Sequence, residues 1–226
     1  MGVKERRERE KTQVRERILD AALEVFATDG AEALTMRALA DAIEYSAPVI
    51  YAHFRDKDAI IEELCFRELR TLAQAFAKFR TLDPVERLRQ IGYVYTDFAI
   101  EHPSHFRFLF LKQHTYSKTD DAAKDDPEQN AYAFLRQTAA EGIAAGAFRP
   151  EFTDAEEIAQ ICWGSAHGLV ALQNTKGHAS WIDWRDARTT ARRLIDTTLN
   201  GLVKAASTET AARGGAPRAR RSRAAR

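Results

Sequence analysis

Apolar residues recur at three- and four-residue intervals along most of the chain, the period of helices buried on one face. The first such stripe, Ile18, Ala22, Val25 and Phe26, stops at Asp29-Gly30, a helix-ending glycine. Thr35 stands as cap to a second helix in which Met36, Leu39, Ala40 and Ile43 fall at i, i+3, i+4 and i+7. Ser46 can cap a third, with Ala47, Ile50, Tyr51 and Phe54 at the same spacing. Asp56 announces a fourth that runs through Ile60, Leu64, Leu69, Leu72 and Phe76 to about Arg80, long enough to connect two bodies. Asp83-Pro84 joins a cap to a proline at the first helical position and opens a fifth, closed before Pro103. A short helix with Phe106, Leu109 and Phe110 follows. Residues 112–127 have no apolar period and read as a long loop. Asp126-Pro127 predicts the start of a helix ending near Gly146, and Thr153 or Asp154 the cap of another reaching Asn174. Asp183 predicts the start of the last, with Trp184, Ala187, Ala191, Leu194, Ile195, Thr198 and Leu202 on one stripe. No pair of alternating β-branched segments meets at a hairpin turn, so the expected fold class is all-α.

The 226 residues are 45% hydrophobic and 30% charged, enough for one or two domains with a real core. No run approaches the ~18 apolar residues of a membrane span, and the opening MGVKERREREK has no apolar signal core. A cytoplasmic protein without a membrane partner is expected. Cys65 and Cys162 are the only cysteines and form no motif, which argues against a disulfide framework or a Cys-based zinc site. The net charge of +1 hides a polarity: residues 1–17 carry seven basic and four acidic side chains, and residues 213–226 carry six arginines and no acid. The body between is acidic, and basic ends suit a polyanion or a solubilising role.

Two short amphipathic helices, Met36 to Ile43 and Ala47 to Phe54, separated by about three residues, match a helix-turn-helix by spacing. Burying Leu39, Ile43, Ile50 and Phe54 against the first helix leaves Pro48, Val49, Ala52 and His53 outward. An ordinary αα-hairpin in a bundle has the same spacing. Residues 1–57 hold ten basic and eleven acidic side chains, so any phosphate attraction must come from local placement.

The run RERILDAALEVFATDGAEALTMRALADAIEYSAPVIYAHFRDKDAII resembles the DNA-binding domain of the tetracycline-repressor (TetR) family of bacterial regulators, over about residues 12–61. The match lies in Phe26-Ala27 and Gly30, Thr35-Met36-Arg37 with Leu39-Ala40, Ser46 through Tyr51, His53-Phe54, and Lys57. Glu44 departs from the pattern where the family has a turn glycine. The resemblance implies that Ala47, Pro48 and Val49 face base edges in the major groove, while Thr35, Tyr51, His53 and Lys57 contact phosphates, with Arg37 and Ser46 beside them. Without Arg, Asn or Gln at 47–49, base readout would rest on apolar contact, such as Val49 with a thymine methyl, and on DNA shape. For Tyr51 and His53 a half-buried packing role is the alternative.

Residues 153–174 (TDAEEIAQICWGSAHGLVALQN) and the preceding GIAAGAFRPEF resemble the TetR-like C-terminal domain marked by Trp then His-Gly, here Trp163 and His167-Gly168. Trp163, His167, Val170 and Asn174 share one helix face, and Gly164, Gly168 and Ala171 form a small-residue stripe. The resemblance implies a homodimer through helices at about 154–174 and 183–204. It also implies a double-stranded operator as partner and a small, largely apolar effector. Aromatic residues crowd the C-terminal body, and Phe98, Phe110, Trp163 and His167 are the candidate effector-binding set. His167 is equally a core histidine with a satisfied hydrogen bond. The expected organisation is a charged arm at 1–11, a helix-turn-helix three-helix domain at 12–57, a C-terminal helical bundle at 58–204 for effector binding and dimerisation, and a disordered Arg-rich tail at 205–226.

No phosphate-binding loop, dinucleotide fingerprint or nucleophile elbow is present, and Gly164-Ser165-Ala166-His167-Gly168, in mid-helix, lacks the strained turn a hydrolase serine needs. His102 and His105, with His114 nearby, are split by Pro103 and have no carboxylate at ligand spacing. No catalytic residue, metal or cofactor is expected. The reading is a ligand-responsive repressor that binds a palindromic operator as a homodimer. The alternative is a helical interaction module that no longer binds an operator, with Glu44 as its symptom.

Overall fold

The computed structural model describes residues 2–30, 32–111 and 125–205, all helices and turns apart from one isolated bridge. Helix α1 spans Val3–Asp29, so residues 3–11 of the expected arm are its first turns, exposed to solvent, and only from Val14 onward does it pack. Ile18, Leu19, Ala22, Leu23 and Phe26 are buried, and Gly30, at φ +84°, ends the helix by donating to the Phe26 carbonyl at 3.1 Å. Helices α2 (Met36–Ala42) and α3 (Ala47–His53) lie across this face, with Leu39, Ile43, Ile50 and Phe54 enclosed. Ser46 occupies the N-cap position of α3, but its hydroxyl makes no cap bond.

Helix α4 (Lys57–Ala77) is capped by Asp56, which accepts the Ala59 N–H at 2.8 Å. Its first half buries Ile60 and Leu64 in the N-terminal unit, and its second half carries Leu72 and Phe76 into the bundle. There α5 (Pro84–Glu101), α6 (Pro103–Leu111), α7 (Ala131–Ala144), α8 (Ala155–Lys176) and α9 (Ala187–Leu202) pack together. A second seam joins the two parts. Phe26 of α1 meets Phe108 of α6 edge-to-face at 4.8 Å, and Arg67 of α4 bonds Asp20 of α1 at 2.7 Å.

Two helix starts differ from expectation. Asp126 closes a separate turn, its carboxylate accepting the Glu128 N–H and its carbonyl the Asn130 N–H, and α7 begins only after Asn130. The Asn130 carboxamide accepts the N–H groups of Tyr132 and Ala133, which makes it the better cap. Likewise Asp186, not Asp183, caps α9 by accepting the Thr189 N–H at 2.8 Å. Trp184 lies before the helix, and its indole donates to the Lys176 carbonyl at 3.1 Å, folding the connection back onto the end of α8. The long loop expected at 112–127, for residues 112–124, and the tail, from 206 onward, lie outside the described residues, as does His114.

Close approaches fix the bundle. A Cβ on Gly142 of α7 would stand 2.5 Å from the ring of Phe148, and one on Gly92 of α5 would stand 3.1 Å from Ile195 of α9. An isolated antiparallel bridge between Phe148 and Val203, with Lys204 N–H donating to the Ala147 carbonyl, ties the end of α9 to the exit of α7.

Candidate DNA-binding surface and effector cavity

The outward side of the helix-turn-helix is built by α2 and α3 from below. Thr35 caps α2, its hydroxyl accepting the Ala38 N–H at 3.1 Å. The chain then turns through Glu44, whose φ of +59° is the left-handed conformation that a glycine would adopt freely. This turn lets Tyr45 N–H reach the Ala40 carbonyl at 2.9 Å, and α3 leaves it with Pro48 exposed and Ala47 and Val49 half-buried. Arg37, Ser46 and Tyr51 are exposed, Tyr51 by 57%. Lys57 is half-buried at the first residue of α4. A cation there opposes the helix dipole, so the position does nothing for α4 itself and suits an anion bound from outside.

His53 is partly buried, and its Nδ1 has no partner among the described residues. Burial, with Arg15 and Lys11 nearby, holds the imidazole below its ordinary pKa, so it is neutral at pH 7. Two residues of this surface escaped the sequence reading. Arg15 of α1 donates to the His53 carbonyl at 2.6 Å, pairs with Glu63 of α4 and lies 4.1 Å over the Phe54 ring, so one guanidinium clamps three helices. Arg17 donates to the Ile43 carbonyl at 3.2 Å and braces the turn beside Tyr45. Both sit in a run of charges that reads as a solvated face, and only their place one turn before Ile18 and Asp20 hints otherwise.

Between the helices of the bundle lies a cavity of about 600 Å³, walled by Leu69, Leu72 and Phe76 of α4 and by residues of α5 to α9. Of the four expected effector residues, Phe110, Trp163 and His167 line it. Phe98 does not. It is rotated ~60° around α5 from Tyr95, three residues earlier, and packs instead on the rings of His102 at 5.7 Å and His105 at 6.4 Å. Tyr95, which the candidate set leaves out, takes its place in the lining: its hydroxyl and His167 Nδ1 are 2.8 Å apart. Burial lowers the pKa of His167, raises that of Tyr95 despite the nearby Trp163 indole, and pushes the Cys162 thiol up to about 12. The Ser165 hydroxyl donates to the Cys162 carbonyl at 3.0 Å and is no activated nucleophile. Among the described residues no group of three or more metal-ligating side chains gathers, and no helix is long and apolar enough to cross a membrane.

Among the described residues, nothing stands within 4 Å of a Cβ at Gly168 of α8 or at Gly164, which also lines the cavity, and Leu172 is 54% exposed.

Comparison with known proteins agrees with this geometry. Residues 18–64 match the bacterial regulatory proteins of the tetR family, and residues 88–218 match the tetracyclin repressor-like C-terminal domain. The chain belongs to the TetR family, whose members are transcriptional regulators with a DNA-binding helix-turn-helix and not enzymes. An uncharacterised HTH-type transcriptional regulator of Bacillus subtilis, YobS, is 31% identical over 43% of this chain and 51% of its own. The HTH-type transcriptional regulator UidR of Escherichia coli is 31% identical over 35% of this chain and 38% of its own. The chain thus spans about half or less of the curated relatives it matches. A protein of unknown function from Rhodococcus sp. RHA1 superposes with a TM-score of 0.68 at 21% identity, covering 84% of this chain and 95% of that one. A TetR-family regulator from Haemophilus influenzae does so at 0.63 and 18%, covering 86% and 98%. At such identities these two share the fold.

Proposed function

We propose that the protein is a repressor that binds a palindromic operator as a homodimer and is released by a small, largely apolar molecule in the bundle cavity. The observation that carries this is helix α4. It starts with Lys57 at the helix-turn-helix surface, and ~31 Å of continuous helix can reach from there to Leu69, Leu72 and Phe76 in the cavity wall. A second connection runs through α6, which presents Leu109 and Phe110 to the cavity and Phe108 to Phe26 of α1. A ligand that moves either wall therefore acts on elements that carry the DNA-binding unit. To shift a dimer from 99:1 competent to 1:99, it must prefer one arrangement by ~10⁴-fold, or ~5.5 kcal/mol over the sites it fills.

In this reading Ala47, Pro48 and Val49 approach base edges, and Thr35, Arg37, Ser46, Tyr51, His53 and Lys57 serve the phosphates. Partners meet across the face of α8 that carries Gly168 and Leu172, together with α9. Glu44 does not favour the interaction-module alternative, because it adopts the left-handed turn a glycine would supply. Replacing Lys57 with Ala tests the DNA surface: affinity should fall for all sequences alike, and the slope of log K against log salt should shrink by ~1. A slope equal to the parent's would remove Lys57 from the interface.

A further inference from the structure

We infer that the cavity selects electrically neutral, largely apolar molecules bearing one hydrogen-bond acceptor, such as a ketone or ester carbonyl, and rejects carboxylates and ammonium ions built on the same skeleton. This rests on the reading of the cavity as the effector site and goes on to the chemistry of what enters. Among the described residues, no Asp, Glu, Lys or Arg lines the cavity. Its titratable groups are held uncharged by burial: His167 below its ordinary pKa, Tyr95, Tyr132 and Cys162 above theirs. An ion entering would lose its hydration and meet no countercharge.

An anion could still be held by the N-terminus of α7, which borders the cavity, but the Asn130 carboxamide already accepts the Tyr132 and Ala133 N–H groups there. The charges beside Tyr132 are also spent. Glu156 accepts the Tyr132 hydroxyl and stands 3.9 Å from Arg136. The hydroxyl of Ser165 is bonded to its own helix.

Besides the hydroxyl of Thr198, what remains is the Tyr95–His167 pair. A neutral imidazole nitrogen is a far better acceptor than a phenol oxygen, so across the 2.8 Å contact the Tyr95 hydroxyl donates its proton to Nδ1 of His167. That bond assigns the proton of the neutral imidazole to Nε2, which has no protein partner among the described residues, on a side chain that lines the cavity. A donor set in an apolar wall asks for an acceptor on the ligand and discriminates little else.

Calorimetric titration of the full chain at pH 7.5 with four compounds of matched skeleton tests this: valerophenone, pentylbenzene, 5-phenylpentanoate and 5-phenylpentylammonium. Valerophenone should bind tightest, pentylbenzene ~3- to 10-fold more weakly for want of one hydrogen bond, and the two ions at least ~100-fold more weakly. His167→Phe should erase the gap between ketone and alkylbenzene while pentylbenzene still binds. Leu135→Trp and Thr198→Phe fill the cavity from two sides, and whichever retains the parent's circular dichroism should abolish binding of all four. If either ion binds within ~3-fold of the ketone and the filled variants still block it, the inferred selectivity is wrong and the effector site stands. If none of the four binds, or filling the cavity changes nothing, the effector site and its selectivity fall together.

Discussion

Glu44 holds a backbone conformation, φ +59°, that costs a residue with a Cβ ~1–2 kcal/mol, and its carboxylate lies in the turn before α3, where phosphates would approach. Glu44→Gly removes the strain and the charge, against the larger chain entropy that glycine loses on folding. The expected net gain is ~0.5–1 kcal/mol in urea unfolding, with tighter DNA binding at low salt. A loss of stability would mean the carboxylate has a compensating role. His53 and His167 share a different residue-scale signature, since burial lowers both pKa values below the 6.5 of the unfolded chain. Below that value the unfolded state takes up protons that the native state refuses, so both contribute stability above pH 6.5 that is lost as pH falls through their depressed values. Unfolding free energy should therefore drop on going from pH 7 to 5, and less steeply in His167→Gln. A profile unchanged by that substitution would place the ring's neutrality elsewhere.

At the scale of elements, the tightest junction is where α7 leaves the bundle, and Gly142→Ala sets a Cβ against the buried Phe148 ring and near Pro84 of α5. Overpacking should outweigh the helix propensity gained and cost ~1–2 kcal/mol, read as an earlier urea midpoint with unchanged slope. The same elements show what the sequence could reveal. The helix-turn-helix was legible because Thr35, Leu39, Ile43 and Ile50 follow a local period and the cap is a single residue. The starts of α7 and α9 were displaced because Asp126-Pro127 and Asp183 are good local signals overruled by Asn130 and Asp186, whose side chains reach the helix N–H groups in three dimensions. Phe98 and Tyr95 were exchanged for a related reason. Both are aromatic positions on α5, and only the packing of α6 and α8 decides which of them meets His167. Arg15 was hidden among charges because its partners, Glu63 and the His53 carbonyl, are 48 and 38 residues away.

For the molecule as a whole, the proposed function requires the helix-turn-helix surface and the cavity to be coupled through α4 and the α1–α6 seam, in a dimer paired across α8 and α9. The symmetry has a consequence for the operator. Two recognition helices held by a two-fold dimer must read two inverted half-sites, about one helical turn, ~34–36 Å, or a multiple apart. Selection of bound duplexes from a random 40-base-pair library, with the purified full chain at 150 mM salt, reads this directly. The account predicts enrichment of one inverted repeat with half-sites spaced by about a whole number of turns, lost in the variant Pro48→Asp. Recovery of no motif, or of a single unrepeated site, would contradict it.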